Sequence, residues 1–287
     1  MPDALFDDPR LAATYDPLDP DRSDLDVYAA MVEEFGARSV LDVGCGTGTF
    51  ACLLAGRGVT VTAVDPAAAS LDVARTKPGA DRVRWIHGDA TALPALRVDL
   101  ATMTANVAQV FLSDAEFAAT LRGVRAALRP GGRLVFEIRD PARRAWMEWD
   151  REHTDTEVTI PGIGPVRTWC DLISVRDDPS GPLVTFRWTT VFGTDGEVRT
   201  SDSTLRFRDR DRVENLLAAT GFTVAEVRDA PDRPGREFVF VAVAADQPGT
   251  AAADQPGAVA ADQPGTAAAD QPGAVAADQP GAGAGAS

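Results

Sequence analysis

The chain has 287 residues, of which 45% are hydrophobic, and a formal net charge of -15 at pH 7. This size and apolar content suit one core with an elaboration, whereas the negative charge argues against a broad nucleic-acid surface. No apolar run reaches the roughly 18 residues of a membrane span, and the acidic N-terminus lacks a signal-peptide pattern. Three cysteines without metal or redox spacing fit a reducing compartment. We therefore expect a cytoplasmic protein that binds no membrane, nucleic acid or metal.

Strand-like and helix-like stretches alternate through the first half of the chain. A helix predicted over 24–35 comes before a buried strand over 39–43. Further strands are predicted over 59–64, 83–87, 98–103 and 133–139. Helices are expected around 71–75 and, after a capping box of Ser113 and Glu116, up to Leu128. This alternation favours a parallel sheet with helices on both faces.

The pattern changes after Pro141, where residues 157–207 contain β-rich stretches separated by turn signals. These stretches are typical of an antiparallel insertion. A helix over 211–220 and strands over 223–228 and 238–243 then complete the alternating part. We predict a core formed by residues 1–140 and 204–245, and an insertion over 141–203 that forms part of a substrate site.

The last forty or so residues repeat Ala-Asp-Gln-Pro-Gly five times with a period of eight. This segment contains no aromatic and no basic residue, and each repeat carries a proline and a glycine that disfavour helix and strand. Because it buries too little apolar surface to offset the entropy of ordering, we predict a disordered tail over 246–287. A partner-binding or spacer segment is the alternative.

Residues 39–48 read Ser-Val-Leu-Asp-Val-Gly-Cys-Gly-Thr-Gly, a buried strand running into glycines at alternate positions. Glycine permits positive φ and close approach of a ligand, and the N-terminus of the following helix presents free N–H groups and a positive dipole end. This arrangement favours a nucleotide-like ligand with an anionic tail. The dinucleotide fingerprint G-x-G-x-x-G would need its third glycine at position 49, which is a threonine.

Asp42, an apolar residue and the pattern G-x-G-x-G together resemble the first motif of the class I S-adenosylmethionine-dependent methyltransferases. The resemblance covers roughly residues 10–244. It implies an α/β fold with a doubly wound, seven-stranded, mostly parallel Rossmann-like sheet whose seventh strand is antiparallel. It also implies an antiparallel β insertion after the fifth strand, which forms a substrate lid in small-molecule members such as sugar N-methyltransferases of antibiotic pathways.

The resemblance implies S-adenosyl-L-methionine as cofactor and assigns binding roles at several strand ends. Asp65, at the end of the second strand, offers two carboxylate oxygens to the ribose hydroxyls. Asp89 would contact the adenine amino group, and the backbone N–H of Ala90 a ring nitrogen. The other candidates are Gly44, Cys45, Gly46, Thr47 and Gly48 in the glycine loop, Pro66 after the second strand, and Thr104, Asn106 and Gln109 after the fourth. Gln109 is equally consistent with a helix-surface residue.

Methyl transfer from a sulfonium is an in-line displacement, so proximity and alignment can supply most of the catalysis, and a base is needed only if the acceptor must lose a proton. His153 is the candidate base. Tyr15 is a candidate both for catalysis and for covering the methionine portion of the cofactor. Arg139, Trp146 and Trp149 are candidates for acceptor binding. Simple packing, or a surface position for His153, is the alternative for these residues.

These observations predict an enzyme that moves a methyl group from S-adenosylmethionine to an oxygen or nitrogen of a small molecule. A non-catalytic S-adenosylmethionine-binding subunit is the first alternative, because the motifs concern binding and not transfer. An NAD-dependent oxidoreductase is the second, since Asp65 alone would suit it. The acceptor and the oligomeric state cannot be predicted from the sequence.

Overall fold

The computed structural model describes residues 2–245, so the predicted tail over 246–287 lies outside the described residues. Seven strands form a central sheet: β1 (Ser39–Val43), β2 (Thr60–Asp65), β3 (Val83–His87), β4 (Val98–Met103), β5 (Leu128–Arg139), β10 (Phe222–Asp229) and β11 (Glu237–Ala244). Their order across the sheet is β10-β11-β5-β4-β1-β2-β3. β1 to β5 pair in parallel, and β11 pairs antiparallel with both neighbours. The predicted doubly wound sheet with an antiparallel seventh strand is confirmed.

Eight α-helices accompany the strands within residues 2–245. They are α1 (Ala4–Asp7), α2 (Pro9–Leu18), α3 (Asp24–Glu34), α4 (Thr49–Gly56), α5 (Ala68–Arg75), α6 (Asp114–Ala127), α7 (Arg151–Thr154) and α8 (Arg210–Ala219). The predicted capping box starts α6, where Ser113 Oγ accepts from the Glu116 N–H (3.2 Å) and Glu116 Oε2 accepts from the Ser113 N–H (2.8 Å). None of these helices is long and apolar enough to cross a membrane.

A second, antiparallel sheet lies between β5 and α8 in the chain. It consists of β6 (Thr156–Ile160), β7 (Gly164–Arg176), β8 (Leu183–Phe192) and β9 (Val198–Arg206), in that order. β9 continues to Arg206 because Arg206 still pairs with Leu183 of β8. These four antiparallel strands between β5 and α8 are the predicted antiparallel insertion.

Two apolar layers cover the faces of the central sheet. On one face Phe136 stacks on Phe240 with ring centroids 5.2 Å apart, and Phe117 of α6 meets Phe136 edge-on. On the other face Tyr28 of α3 packs against Phe50 of α4. Both layers leave the carboxyl ends of the parallel strands as the edge where ligands bind in such sheets.

Among the strands of the central sheet, the start of β5 differs most from the sequence prediction. β5 begins at Leu128 and not at Arg133, because Leu128 pairs with Val98 of β4 before the ladder shifts its register. The segment from Arg129 to Gly132, which we expected to be a turn after the helix, is therefore part of the strand.

Candidate functional site

The glycine loop, residues 44–48, joins β1 to α4 at the carboxyl edge of the sheet. Gly44 and Gly48 have φ values of 71° and 75°, in the left-handed region. A Cβ on Gly44 would lie 2.7 Å from both γ-carbons of Val107, and one on Gly48 would lie 2.4 Å from the Trp85 ring. These two positions therefore require glycine for backbone conformation and for space.

A cavity of about 670 Å³ opens beside this loop. It is lined by the ends of β1, β2, β3 and β4, by α1, α2 and α6, and by β9 of the insertion. Ten predicted site residues line it: Tyr15, Gly44, Cys45, Gly46, Thr47, Asp65, Pro66, Asp89, Ala90 and Thr104. The structure thus brings together residues from four strand ends and an N-terminal helix.

Asp65 lies at the floor of this cavity and is 7% exposed. Its Oδ2 accepts from the Gly46 N–H and its Oδ1 from the Ala67 N–H, each at 2.8 Å. Burial raises the pKa of the Asp65 carboxyl, and these two hydrogen bonds oppose that shift. Because each carboxylate oxygen has two acceptor sites, Asp65 retains capacity for two hydroxyl donors.

Asp89 and Ala90 form another part of the wall, after β3. Asp89 is exposed and caps a short 3-10 turn, where its Oδ1 accepts from the Thr91 N–H at 2.8 Å. Ala90 is buried against α6, because Gly123 of that helix approaches the Ala90 carbonyl too closely to carry a side chain. Packing against α6 therefore holds this turn in place.

Two hydrogen-bonded groups tie the N-terminal helix α2 to the glycine loop. Asp16 Oδ1 accepts from the Thr47 hydroxyl at 2.7 Å, and Asp16 Oδ2 pairs with Lys77 Nζ at 2.7 Å. Lys77, the only lysine in the sequence, also donates to the Thr49 hydroxyl at 2.6 Å. These contacts hold Tyr15, the neighbour of Asp16, over the cavity.

Arg22 is a site residue that sequence reasoning missed. Among the described residues it is the one cationic side chain that lines the cavity. Its Nε lies 3.2 Å from Asp24 Oδ1. Arg22 follows an aspartate- and proline-rich stretch with no recognisable motif, so nothing in the sequence distinguished it from other surface arginines.

Two residues predicted to contact the cofactor after β4 lie behind the cavity wall. Asn106 is 3% exposed, and its Nδ2 donates to Glu237 Oε1 at 3.3 Å. Gln109 is fully buried, and its Oε1 accepts from Arg139 Nη1 at 3.0 Å. Each side chain thus hydrogen-bonds to a neighbouring strand and does not line the cavity. Both residues belong to the segment 104–109, here termed the β4 turn. Gly48, which packs under the Trp85 ring, is also absent from the lining.

The four residues proposed for the acceptor or for proton transfer also lie away from the cavity lining. Trp146 packs edge-on against Phe207 and Trp149 against Phe186, with centroids 4.6 Å apart in both pairs. Arg139 pairs with Gln109 and, at 3.8 Å, with Glu237. The tryptophans thus form an apolar cluster with the strands of the insertion and Phe207, and Arg139 of β5 lies over the Trp149 ring at 5.6 Å from its centroid.

His153 is exposed on α7, and its Nδ1 lies 2.8 Å from Asp150 Oδ1. The hydrogen bond to Asp150 raises the pKa of His153. Burial raises the pKa of Tyr15, so its hydroxyl stays protonated near neutral pH. Neither residue has the properties of a base facing this cavity.

The motif residue Asp42 lies beneath the glycine loop in β1. It is fully buried, and its Oδ1 accepts from the Thr102 hydroxyl at 3.0 Å. Burial raises the pKa of Asp42 to about 7. The carboxyl therefore supports the loop from inside the sheet and does not reach the cavity.

Residues 40–132 match the family model described as a methyltransferase domain. A Geobacillus sp. strain WCH70 protein that is named a methyltransferase is 28% identical over 218 residues, which cover 72% of this chain and 85% of the relative. Further curated relatives match over shorter stretches, and the chain spans half of their length or less.

Solved structures with this fold include a S-adenosylmethionine-dependent methyltransferase from Clostridium acetobutylicum ATCC 824. It is 17% identical with a TM-score of 0.67, and the match covers 83% of this chain and 98% of that one. The sugar N-methyltransferase KedS8 from Streptoalloteichus sp ATCC 53650 is 22% identical with a TM-score of 0.62, covering 78% of this chain and 88% of that one.

The sheet order and the glycine loop at the head of the cavity define a nucleoside-binding α/β protein of the doubly wound class. Together with the match of residues 40–132 to the methyltransferase-domain model, they show that the chain contains a methyltransferase domain with the fold of solved S-adenosylmethionine-dependent methyltransferases. It is a methyltransferase, and S-adenosylmethionine is its cofactor.

Proposed function

We propose that this methyltransferase acts on a nitrogen or oxygen of a small-molecule acceptor. The observation that carries the proposal is a single cavity in which the glycine loop and a second, largely apolar wall face the same space. That second wall comprises Val110, Phe111 and Leu112 after β4, Phe6 of α1 and Thr204 of β9. An acceptor between this wall and the glycine loop would lie next to the cofactor.

The cavity has a roof, which favours a small acceptor over a macromolecular one. α1 lies across the cavity, held on one side by the Leu5 N–H donating to Ser201 Oγ of β9 at 2.8 Å. On the other side the Ser70 hydroxyl of α5 donates to the Phe6 carbonyl at 2.7 Å. A covered pocket suits a ligand that is largely surrounded by protein. The net charge of -15 also disfavours a nucleic-acid acceptor.

The residues of the cofactor end fit the parts of S-adenosylmethionine. In this proposal Asp65 accepts from the ribose hydroxyls, and Asp89 with the Ala90 N–H contacts the adenine. Arg22 Nε and Nη2 donate to Asp24, and the remaining N–H groups of this guanidinium pair with the methionine carboxylate. The N-terminus of α4, whose Thr49 and Phe50 line the cavity, favours an anionic group at the same end. Tyr15 covers the methionine portion from α2.

The chemistry asks little of the protein beyond alignment. When bound, S-adenosylmethionine supplies an electrophilic methyl group with a good leaving group. Tyr15 and Thr104 offer hydroxyls near the cavity that can orient an acceptor, and the apolar wall excludes water. No histidine is in the described lining, so for a nitrogen acceptor we propose catalysis by proximity, with attack by the neutral amine.

A nitrogen acceptor is favoured by the likeness to the sugar N-methyltransferase, since a neutral amine attacks without prior loss of a proton. The test is a turnover screen of S-adenosylmethionine with amines, amino sugars, phenols, short peptides and an oligonucleotide, in which the release of S-adenosylhomocysteine is measured. The expected result is turnover with one class of small amine or hydroxyl compound, lost in Asp65→Ala. Turnover only with a peptide or nucleic acid would contradict the proposal.

A further inference from the structure

The β4 turn contains two consecutive non-glycine residues in the left-handed region. Ala105 has φ 58°, and Asn106 has φ 60° with ψ 27°. A Cβ makes this conformation costly at Ala105, whereas asparagine tolerates it better, so the turn persists only where the surroundings hold it. Arg144 is the one other non-glycine residue with positive φ among residues 2–245. Strain of this kind at the edge of a ligand cavity calls for a group that maintains it.

Glu137 of β5 is the group that holds the turn. Its Oε1 accepts from the Asn106 backbone N–H at 2.6 Å, and the Glu137 side chain is buried. Burial raises the pKa of the Glu137 carboxyl to about 7, and the hydrogen bond from Asn106 opposes that shift. An Oε1 atom can accept from the N–H group whether or not the carboxyl is ionised. The Asn106 side-chain Nδ2 donates to Glu237 Oε1, and the Asn106 backbone carbonyl accepts from the Gln109 N–H at 2.9 Å. Glu137 is the partner that binds the strained backbone directly.

The turn builds part of the cavity wall. Thr104, Ala105 and Val107 line the cavity. Val107 also occupies the space that a Cβ on Gly44 would need. The left-handed turn therefore sets how closely the end of β4 approaches the glycine loop, and that approach fixes the width of the cofactor end.

We propose that Glu137 is a positioning residue for the cofactor, because its carboxylate keeps Ala105 and Asn106 left-handed and thereby holds Thr104, Ala105 and Val107 at the cavity wall. Glu137 does not line the cavity and touches no ligand in this account. It acts through the backbone of the β4 turn. The proposal rests on the cofactor assignment and is independent of the acceptor.

The test uses calorimetric titration of the purified full chain with S-adenosylhomocysteine. Glu137→Met keeps the length of the side chain but removes the acceptor oxygens, and we expect its affinity to fall about tenfold or more. Glu137→Gln retains an acceptor oxygen for the Asn106 N–H, so its affinity should stay within about threefold of the wild type. Thermal unfolding of each variant reports any loss of folding separately.

A second substitution separates strain from ordinary destabilisation. Glycine adopts positive φ without a Cβ penalty, so Ala105→Gly added to Glu137→Met should recover most of the lost affinity. If Glu137→Met alone does not fold, the double variant should restore both folding and binding. A crystal structure of Glu137→Met without ligand should show Ala105 or Asn106 relaxed to negative φ.

Three outcomes would overturn the inference: unchanged affinity in Glu137→Met, a double variant that binds no better than Glu137→Met or fails to fold, or a left-handed turn retained in the variant structure. A wild-type chain that binds no S-adenosylhomocysteine would instead contradict the cofactor assignment. The two failures are therefore distinguishable.

Discussion

The glycine loop and the β4 turn face each other across the same cavity, and both use left-handed backbone. The loop reaches this conformation with glycines, such as Gly44 at φ 71°. The turn reaches it with Ala105 and Asn106, which pay a steric cost that glycine avoids. The glycines of the loop adopt the left-handed conformation by themselves. The turn depends on the hydrogen bond from the Asn106 N–H to Glu137 of the neighbouring strand. One side of the cavity is encoded locally and the other by tertiary contacts.

Gly44→Ala is the change with the largest expected effect on this comparison. The new Cβ would meet Val107 at 2.7 Å and would sit on a residue with positive φ. We expect the affinity for S-adenosylhomocysteine to fall about 100-fold or more in calorimetric titration. The control is Gly56→Ala, in the last turn of α4, where nothing lies within 4 Å of the added Cβ. Equal affinity in the two variants would show that the loop does not need its glycine.

Asp65→Ala tests the carboxylate beneath the loop. It removes the partner of the Gly46 and Ala67 N–H groups and the proposed acceptor of the ribose hydroxyls. We expect affinity for S-adenosylhomocysteine to fall about 10- to 100-fold. Asp72→Ala, on the exposed surface of α5, is the matched control. If Asp65→Ala binds as tightly as that control, Asp65 has no part in cofactor binding.

Trp146→Ala tests packing away from the cavity, in the apolar cluster of the insertion. Trp146 is buried against Phe207, and its truncation should lower the free energy of unfolding by about 3–5 kcal/mol in urea titrations. Affinity for S-adenosylhomocysteine should change less than threefold, by our rough expectation for a site outside the lining. His153→Ala removes a side chain that is exposed on α7, and it should change neither the free energy of unfolding nor the affinity. A large loss of affinity without loss of stability would show that Trp146 takes part in binding.

Asp42→Asn has the smallest expected effect, which is on how the free energy of unfolding depends on pH. The folded-state pKa of Asp42 is raised to about 7 by burial, above its unfolded value of about 3.9. Its stabilising contribution is therefore full below the unfolded pKa and is lost as the pH rises through 7.

Relative to the wild type, Asp42→Asn should gain about 1 kcal/mol of stability per pH unit between pH 5 and 7. Urea unfolding at several pH values measures this, with exposed Asp72→Asn as control. A pH-independent difference between Asp42→Asn and the wild type would place the Asp42 pKa in its ordinary range.

The contrast between loop and turn also explains which features the sequence revealed. Val40 to Gly48 is a continuous pattern of apolar residues and glycines, so the strand, the loop and the cofactor class followed from it. The capping box at Ser113 was equally local. Asn106 and Gln109 were expected at the cavity because they follow β4, but their partners Glu237 and Arg139 are far away in the chain.

The positions or roles of three further residues also depend on tertiary contacts. These are Arg22, Trp146 and Glu137. Arg22 faces the cavity only because α2 and α3 fold over the glycine loop. Trp146 lies in a core formed with β8 and Phe207, which its helical spacing to Trp149 did not indicate. Glu137 is one residue of an apolar strand, and its role depends on the conformation of a turn thirty residues earlier. Side-chain partners of this kind carry no periodic signal.

The most direct test of the account is calorimetric titration of the purified wild-type chain with S-adenosylhomocysteine, with NADH titrated in parallel. We predict one binding site with micromolar affinity for S-adenosylhomocysteine and no binding of NADH. A folded chain that binds NADH, or that binds neither compound, would contradict the assignment of the glycine loop and its cavity to S-adenosylmethionine.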